Sequence, residues 1–102
     1  MTLLKIYLNN TDKLEGKTLW HLILERVKEA SLQGATVYKA VAGVGKHKEI
    51  HTFDLLALSI NIPIIIEIID SESKINSFLE ANKEYLKETF VTKSAIEVVD
   101  FK

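Results

Sequence analysis

The stretch Ile62-Pro-Ile-Ile-Ile-Glu-Ile-Ile-Asp70 decides the fold that we expect for this chain. A strand with one face in water alternates apolar and polar residues, whereas this run is apolar on both faces, apart from Pro63 and Glu67. Because successive side chains point to opposite faces of a strand, Ile65 and Ile69 share a face with Glu67. We therefore expect a strand that is covered on both faces, on one of them by another subunit.

Downstream of this run, the sequence predicts one helix and one strand. Ser71 is a typical N-cap residue. Helical spacing puts four residues on the inner face of the helix that follows: Ile75, Phe78, Leu79 and Asn82. A last strand is predicted over Phe90 to Phe101, from Val91, Ile96, Val98 and Val99.

Upstream, two strands and one helix are predicted. Leu3 to Leu8 is a short β-rich run that ends in a polar turn at residues 9–12. A helix follows over Thr18 to Gln33, with Gly34 as a C-terminal cap that tolerates positive φ. Ala35 to Ala42 then forms a strand that runs into Gly43-Val-Gly.

The order β-α-β-β-α-β predicts an α+β domain of ferredoxin-like type over residues 1–102, with two helices on one face of a four-stranded antiparallel sheet. The segment from Gly43 to about Asn61 is a polar excursion between the second and third strands. Loops of this kind often carry function. The uncovered face of the sheet predicts self-association.

Composition narrows the class of protein. A chain of 102 residues buries a modest core, and with no cysteine it has no disulfide or thiolate metal site to add stability. The net charge of -1 argues against a partner that is nucleic acid. No signal peptide or membrane span is recognisable, so we expect a cytoplasmic oligomer.

The sequence resembles a known family at this point. The segments Gly34 to Lys48 and Pro63 to Asp70 look like the PII signalling proteins, in which Gly-x-Thr-Val leads to a Gly-x-Gly loop root and Ile-Glu-Ile follows. The closer likeness is to a PII-like family of unknown function from bacteria and archaea. It is carried by Leu3 to Leu8, by Gly43-Val-Gly with His51, and by Ile62 to Asp70.

The resemblance implies a homotrimer with a nucleotide in the cleft between neighbouring subunits. Matched residue by residue, it implies six ligand-binding positions: Thr36, Gly43, Gly45, Lys46, His47 and Glu67. Loop 43–61 would then change order when the cleft fills, and would expose Phe53 and Leu55 to a protein partner such as a membrane transporter.

Two departures from the PII pattern bear on the ligand. The segment after the second helix contains no glycine with which to wrap phosphates, and Glu97-Val-Val-Asp stands where the Arg-x-Arg of PII proteins would be. Acidic groups repel a triphosphate. We therefore expect an adenine nucleotide with one or two phosphates, or a cyclic one, rather than ATP.

Other interpretations remain open. His47 and His51 could share a metal, with Glu49 or His21 as a third ligand, in a metal-responsive trimer of similar fold. The cleft could also stay empty in a purely structural assembly. Glu67 fits a contact with ribose or an ion pair with a lysine across a subunit boundary.

Catalysis needs a positioned nucleophile and base, or paired carboxylates in one cleft, and no such set stands at meaningful spacing in the sequence. We therefore expect a regulatory protein with no enzymatic activity and no resident cofactor.

Overall fold

A computed structural model describes residues 1–45, 49–52 and 61–102. The elements follow in this order: β1 (Thr2–Asn9), β2 (Lys13–Leu14), β3 (Lys17–Thr18), α1 (Leu19–Glu29), β4 (Ala35–Lys39), β5 (Ala42–Val44), β6 (Ile50–Thr52), β7 (Pro63–Asp70), α2 (Glu72–Ala81), α3 (Lys83–Leu86) and β8 (Phe90–Ala95). The main sheet is four-stranded and antiparallel, in the order β4-β7-β1-β8. The predicted α+β ferredoxin-like fold is confirmed.

The core lies between this sheet and the helices. In β7, Ile64, Ile66 and Ile68 are fully buried, while the alternate residues are half-buried on the opposite face. The buried cluster comprises residues of β1, β7 and the helices: Leu4, Ile6, Leu8, Leu19, Ile23, Val27, Ile64, Ile66, Ile68, Ile75, Phe78 and Leu86. One face of β7 thus packs against the helices of the chain itself. Residues 1–45, 49–52 and 61–102 contain no helix that is both long and apolar enough to cross a membrane.

Helix α1 is shorter than predicted, and Gly34 is not its cap. The helix ends at Glu29, and Ser31 turns the chain with a left-handed φ of 56°. This turn brings the backbone N–H of Gln33 to the carboxylate of Asp70, with N and Oδ2 2.9 Å apart. The expectation that Gly34 caps the helix was therefore wrong, because the left-handed residue that turns the chain is Ser31, three residues earlier.

The last strand is also shorter than predicted. β8 ends at Ala95, and the backbone N–H of Ile96 makes the final bond, 3.0 Å long, to the carbonyl of Met1. The register between β8 and its partner strand β1 ends with the pair Ala95 and Thr2. Residues 97–102 are exposed, which corrects the strand predicted up to Phe101.

The second predicted strand is interrupted. β4 ends at Lys39, because the backbone N–H of Ala40 bonds to the carbonyl of Pro63, the first residue of its partner strand. The chain then begins a separate hairpin, β5–β6, inside the segment predicted as a loop. A second hairpin, β2–β3, turns through Glu15 and Gly16, both at positive φ as a two-residue turn requires.

Candidate functional site

The face of the sheet that the helices leave open carries three cross-strand rows. Direct register partners form a polar row in the middle: Thr36, Glu67, Lys5 and Thr92. A second row is aromatic and apolar: Tyr38, Ile65, Tyr7 and Phe90. A third row comprises Ile69, Leu3 and Ser94. A band of charge therefore lies between two bands that are mainly apolar.

The aromatic row is well exposed in the single chain. Tyr38 is 49% exposed and Phe90 is 67% exposed. The rings of Tyr7 and Phe90 meet edge to face, with centroids 5.6 Å apart. The sequence alone did not single out Tyr7 or Tyr38. In β1, Lys5 and Tyr7 alternate with buried residues, and this alternation was a signal that could have placed Tyr7 on the open face.

Glu67 is half-buried at the centre of this face, where it neighbours Thr36 on one side and Lys5 on the other. Partners directly opposite in an antiparallel sheet have Cβ atoms about 4.5 to 5.5 Å apart. Among the described residues, none forms a hydrogen bond or ion pair with the Glu67 carboxylate. Since this carboxylate is only partly buried in one chain, its full desolvation would require that something cover the face.

The structure brings Thr36 and Glu67 together on the main sheet, and Gly43 belongs to a separate hairpin. Gly43 lies opposite His51 in the β5–β6 hairpin, and Gly45 follows the end of β5. Gly43 is seven positions after Thr36, so the two lie at most about 25 Å apart along an extended chain. Within one subunit, the predicted site is therefore divided between the main sheet and the β5–β6 hairpin.

Gly45 has no steric role within the described chain. Its φ lies outside the positive range, and a Cβ atom built there would meet nothing within 4 Å. Neither a left-handed backbone nor crowding therefore requires glycine at this position within the described residues. Close approach by a ligand or another subunit remains as a reason for glycine.

Both ends of the 43–61 segment are fastened to the sheet. At its start, Ala40 bonds to Pro63, and at its end the N–H of Ile62 donates to Asn10 Oδ1 at 2.8 Å. Thr11 Oγ1 also donates to Asn61 Oδ1 at 2.7 Å. The polar turn after β1 therefore holds the root of this segment beside the end of the sheet.

The described residues leave out several of the predicted ones: Lys46, His47, Phe53 and Leu55. For His51 the description covers the backbone alone. The metal interpretation rests on His47 and His51. Within the described part of the chain, no group of three His, Asp or Glu residues could hold a metal ion.

The acidic pair Glu97 and Asp100 lies in the exposed segment that follows β8. Asp70, in contrast, is buried at the end of β7. Its carboxylate accepts hydrogen bonds from the backbone N–H groups of Gln33 and Ser71, which lower its pKa below the usual value. Asp70 thus links the end of β7 to the segment after α1 and to the N-cap of α2, and it is not part of the open face.

Relatives in sequence cover most of the chain. A UPF0166 protein of Aquifex aeolicus is 47% identical over 81 residues, which is 79% of this chain and 77% of the relative. A UPF0166 protein of Methanocaldococcus jannaschii is 41% identical over 85 residues, which is 83% of this chain and 78% of the relative.

Solved structures are similar in fold. CPII of Thiomonas intermedia K12, a nitrogen regulatory PII-like protein bound to ADP, AMP and bicarbonate, matches with a TM-score of 0.64 at 18% identity, over 97% of this chain and 92% of CPII. A protein of Thermus thermophilus that is described as a PII-like signaling protein matches with a TM-score of 0.59 at 20% identity, over 91% of this chain and 81% of the other.

The sequence model of the family DUF190, described as "Uncharacterized ACR, COG1993", matches residues 1–98. This match and the two UPF0166 relatives confirm the resemblance seen in the sequence. The chain therefore belongs to the DUF190 family, and its fold is that of the PII-like proteins.

Proposed function

We propose that this protein is a cytoplasmic, non-catalytic regulator that binds an adenine nucleotide between the subunits of a homotrimer. Residues 1–102 act as one domain, and the segment 43–61 reports occupancy of the cleft to a protein partner, such as a membrane transporter. The nucleotide carries one or two phosphates or is cyclic.

The observation that carries the proposal is the division of the site between Thr36 and Glu67 on the sheet and Gly43 and Gly45 in and after the hairpin. A nucleotide has a polar base and ribose at one end and phosphate at the other, and the chain offers polar side chains on the sheet and glycine backbone at the hairpin. Glycine lets backbone N–H groups approach an anion closely. Lys46 follows Gly45 directly in the sequence and would add positive charge, and His47 after it would add a hydrogen-bonding side chain.

The open face supports the homotrimer. It presents Tyr38, Ile65, Tyr7 and Phe90 in one row, and burial of apolar surface contributes about 25 cal/mol per Å². Three copies that turn this face towards one another would bury these rows and bring the site of one subunit near its neighbour.

CPII supports the class of ligand, since that protein binds ADP and AMP with a similar fold. The segment that follows α2 contains no glycine with which to wrap further phosphates, and this favours a nucleotide with fewer of them. The expected order of affinity therefore places AMP, ADP and cyclic AMP above ATP.

Calorimetric titration of the wild type with AMP, ADP, cyclic AMP and ATP tests the proposal. In Gly45→Val, a side chain enters open space within the chain, so the variant should fold normally and lose binding. Val44→Ala, at an exposed neighbouring position, is the matched control and should bind as the wild type does. Absence of binding for every nucleotide, or equal affinity in Gly45→Val, would contradict the proposed site.

A further inference from the structure

A groove lies on the helical side of the molecule, away from the open face. It has a volume of about 650 Å³ and runs between α2, α3 and β8. Leu79, Leu86 and Val91 provide its apolar lining, and Lys83 and Lys87 are exposed at its edge. The nucleotide surface described above uses none of these residues.

The groove is lined by two lysines, Lys83 and Lys87, and by one carboxylate, Glu80. Lys87 also borders a second hollow, beside Leu14, which Glu84 and Glu88 line. Lys83 already pairs with Glu80, with Nζ and Oε1 2.9 Å apart. Among the described residues no carboxylate contacts the ammonium of Lys87. The groove therefore suits a segment that combines apolar side chains with acidic ones.

Residues 97–102 are such a segment. All six are exposed, including Val98 at 58%, Val99 at 64% and Phe101 at 96%. Glu97 and Asp100 provide two carboxylates. The only hydrogen bond of this segment to a described residue is internal, from the Lys102 N–H to Asp100 Oδ1 at 2.9 Å.

The segment is poorly placed to fill the groove of its own subunit. Val91 lies near the start of β8, and the strand stays paired as far as Ile96, so residues 97–102 follow the end of the strand that lies farther from Val91.

We propose that residues 97–102 of one subunit occupy the α2–α3–β8 groove of a second copy of this chain. Val99 and Phe101 pack against Leu79, Leu86 and Val91, and Asp100 pairs with Lys87. This contact is heterologous, and a heterologous contact closes a ring when the rotation between subunits allows it. The inference rests on the homotrimer proposed above and assigns it a second surface besides the open face.

Cross-linking tests the contact directly, because the chain contains no cysteine of its own. Phe101→Cys is prepared in one batch of protein, and Asn76→Cys, on the groove, in another. The two are mixed, dissociated, reassembled and oxidised. We expect a disulfide-linked pair of chains on a non-reducing gel. Glu25→Cys, exposed on α1, is the matched control in place of Asn76→Cys and should give only background linkage.

A second measurement uses chains without cysteine. Phe101→Ser should raise the concentration at which the assembly dissociates by about tenfold, since a buried aromatic anchor dominates contacts of this kind. Lys102→Ser, at the adjacent exposed position, should leave it unchanged.

The outcomes separate this inference from the proposed function. A trimer that gives no linkage to Asn76→Cys, or links equally to Glu25→Cys, overturns the groove contact and leaves the trimer standing. A double variant with both cysteines that forms only an internal disulfide also overturns it. A monomeric wild type by light scattering overturns both the contact and the homotrimer.

Discussion

At the scale of single residues, Glu67 has two alternative roles that the structure makes distinguishable. It is half-buried beside Thr36 and Lys5, so either a ribose or the Lys5 ammonium could complete its environment in the assembled protein. A ligand contact changes affinity, whereas an ion pair changes stability without the ligand.

We predict that Glu67→Gln lowers nucleotide affinity by about one to two decades and leaves the melting temperature of the ligand-free protein unchanged. The loss of a charge-assisted hydrogen bond costs about 1.5 to 3 kcal/mol, and 1.4 kcal/mol is a factor of ten. Calorimetry and thermal unfolding measure the two effects. Glu25→Gln, at an exposed position, is the control. Earlier melting with unchanged affinity would assign Glu67 to the ion pair instead.

Asp70 gives a prediction for pH. Hydrogen bonds from Gln33 and Ser71 hold its pKa below the usual 3.8, so the folded state favours the ionised form. A lowered carboxyl pKa contributes stability above the unfolded pKa, and this contribution disappears as the pH falls through the folded value.

We expect Asp70→Asn to melt below the wild type at neutral pH, with a difference that shrinks as the pH falls from about 5 to about 2. Thermal unfolding followed by circular dichroism across this range provides the test. Glu88→Gln, an exposed carboxyl, should show no such convergence. A constant gap between wild type and Asp70→Asn would mean that ionisation of Asp70 is not the cause.

At the scale of elements, the polar turn after β1 fixes the end of the 43–61 segment. The N–H of Ile62 is bonded to Asn10 Oδ1, and Ile62 is only 2% exposed, so this donor has no access to water. A buried donor without a partner costs about 1 to 3 kcal/mol.

Asn10→Ala should therefore accelerate amide exchange at Ile62 by about one to two decades. Hydrogen exchange followed by NMR measures this rate. The neighbouring variant Asn9→Ala is the control, because the Asn9 side chain makes no hydrogen bond with the described residues. Equal protection of Ile62 in both variants would show that Asn10 does not hold the segment.

The helices and strands also show how much of the fold the sequence predicts. The spacing of apolar residues predicted the sheet and its buried side chains, because a run such as residues 62–70 is typical of a strand that is buried on both faces. Helix and strand ends were misplaced where a distant partner decides them. β8 ends beside the first residues of β1, and α1 ends at Glu29, ahead of the turn that brings Gln33 to Asp70.

The candidate site was predictable only in part. Motif likeness identified Thr36, Gly43, Gly45 and Glu67 as positions of interest, yet it gave no information on cross-strand neighbours. The place of Lys5 opposite Glu67 depends on the register between β1 and β7, which lie more than half the chain apart in sequence. Register of this kind is set by packing and is not visible in either strand alone.

At the scale of the whole molecule, the open face predicts the oligomeric state. We expect light scattering at micromolar concentration to give a mass near three times 11.5 kDa. Ile65→Asp places a charge in the centre of the aromatic row and should yield monomers, because desolvating an unpaired carboxylate opposes assembly. Ile50→Asp, at an 81% exposed strand position, should remain trimeric. A trimer that tolerates Ile65→Asp would place the interface elsewhere.

The two strands at the borders of the sheet, β4 and β8, have a consequence for the fate of a subunit that has not yet found its neighbours. Each carries a lysine on the side of the sheet that faces the helices, Lys39 on β4 and Lys93 on β8. A lysine on this side of an edge strand opposes pairing with a strand of another chain, since the added strand would bury the charge of the lysine. Newly made chains should therefore resist open-ended fibril growth and remain available for ordered assembly.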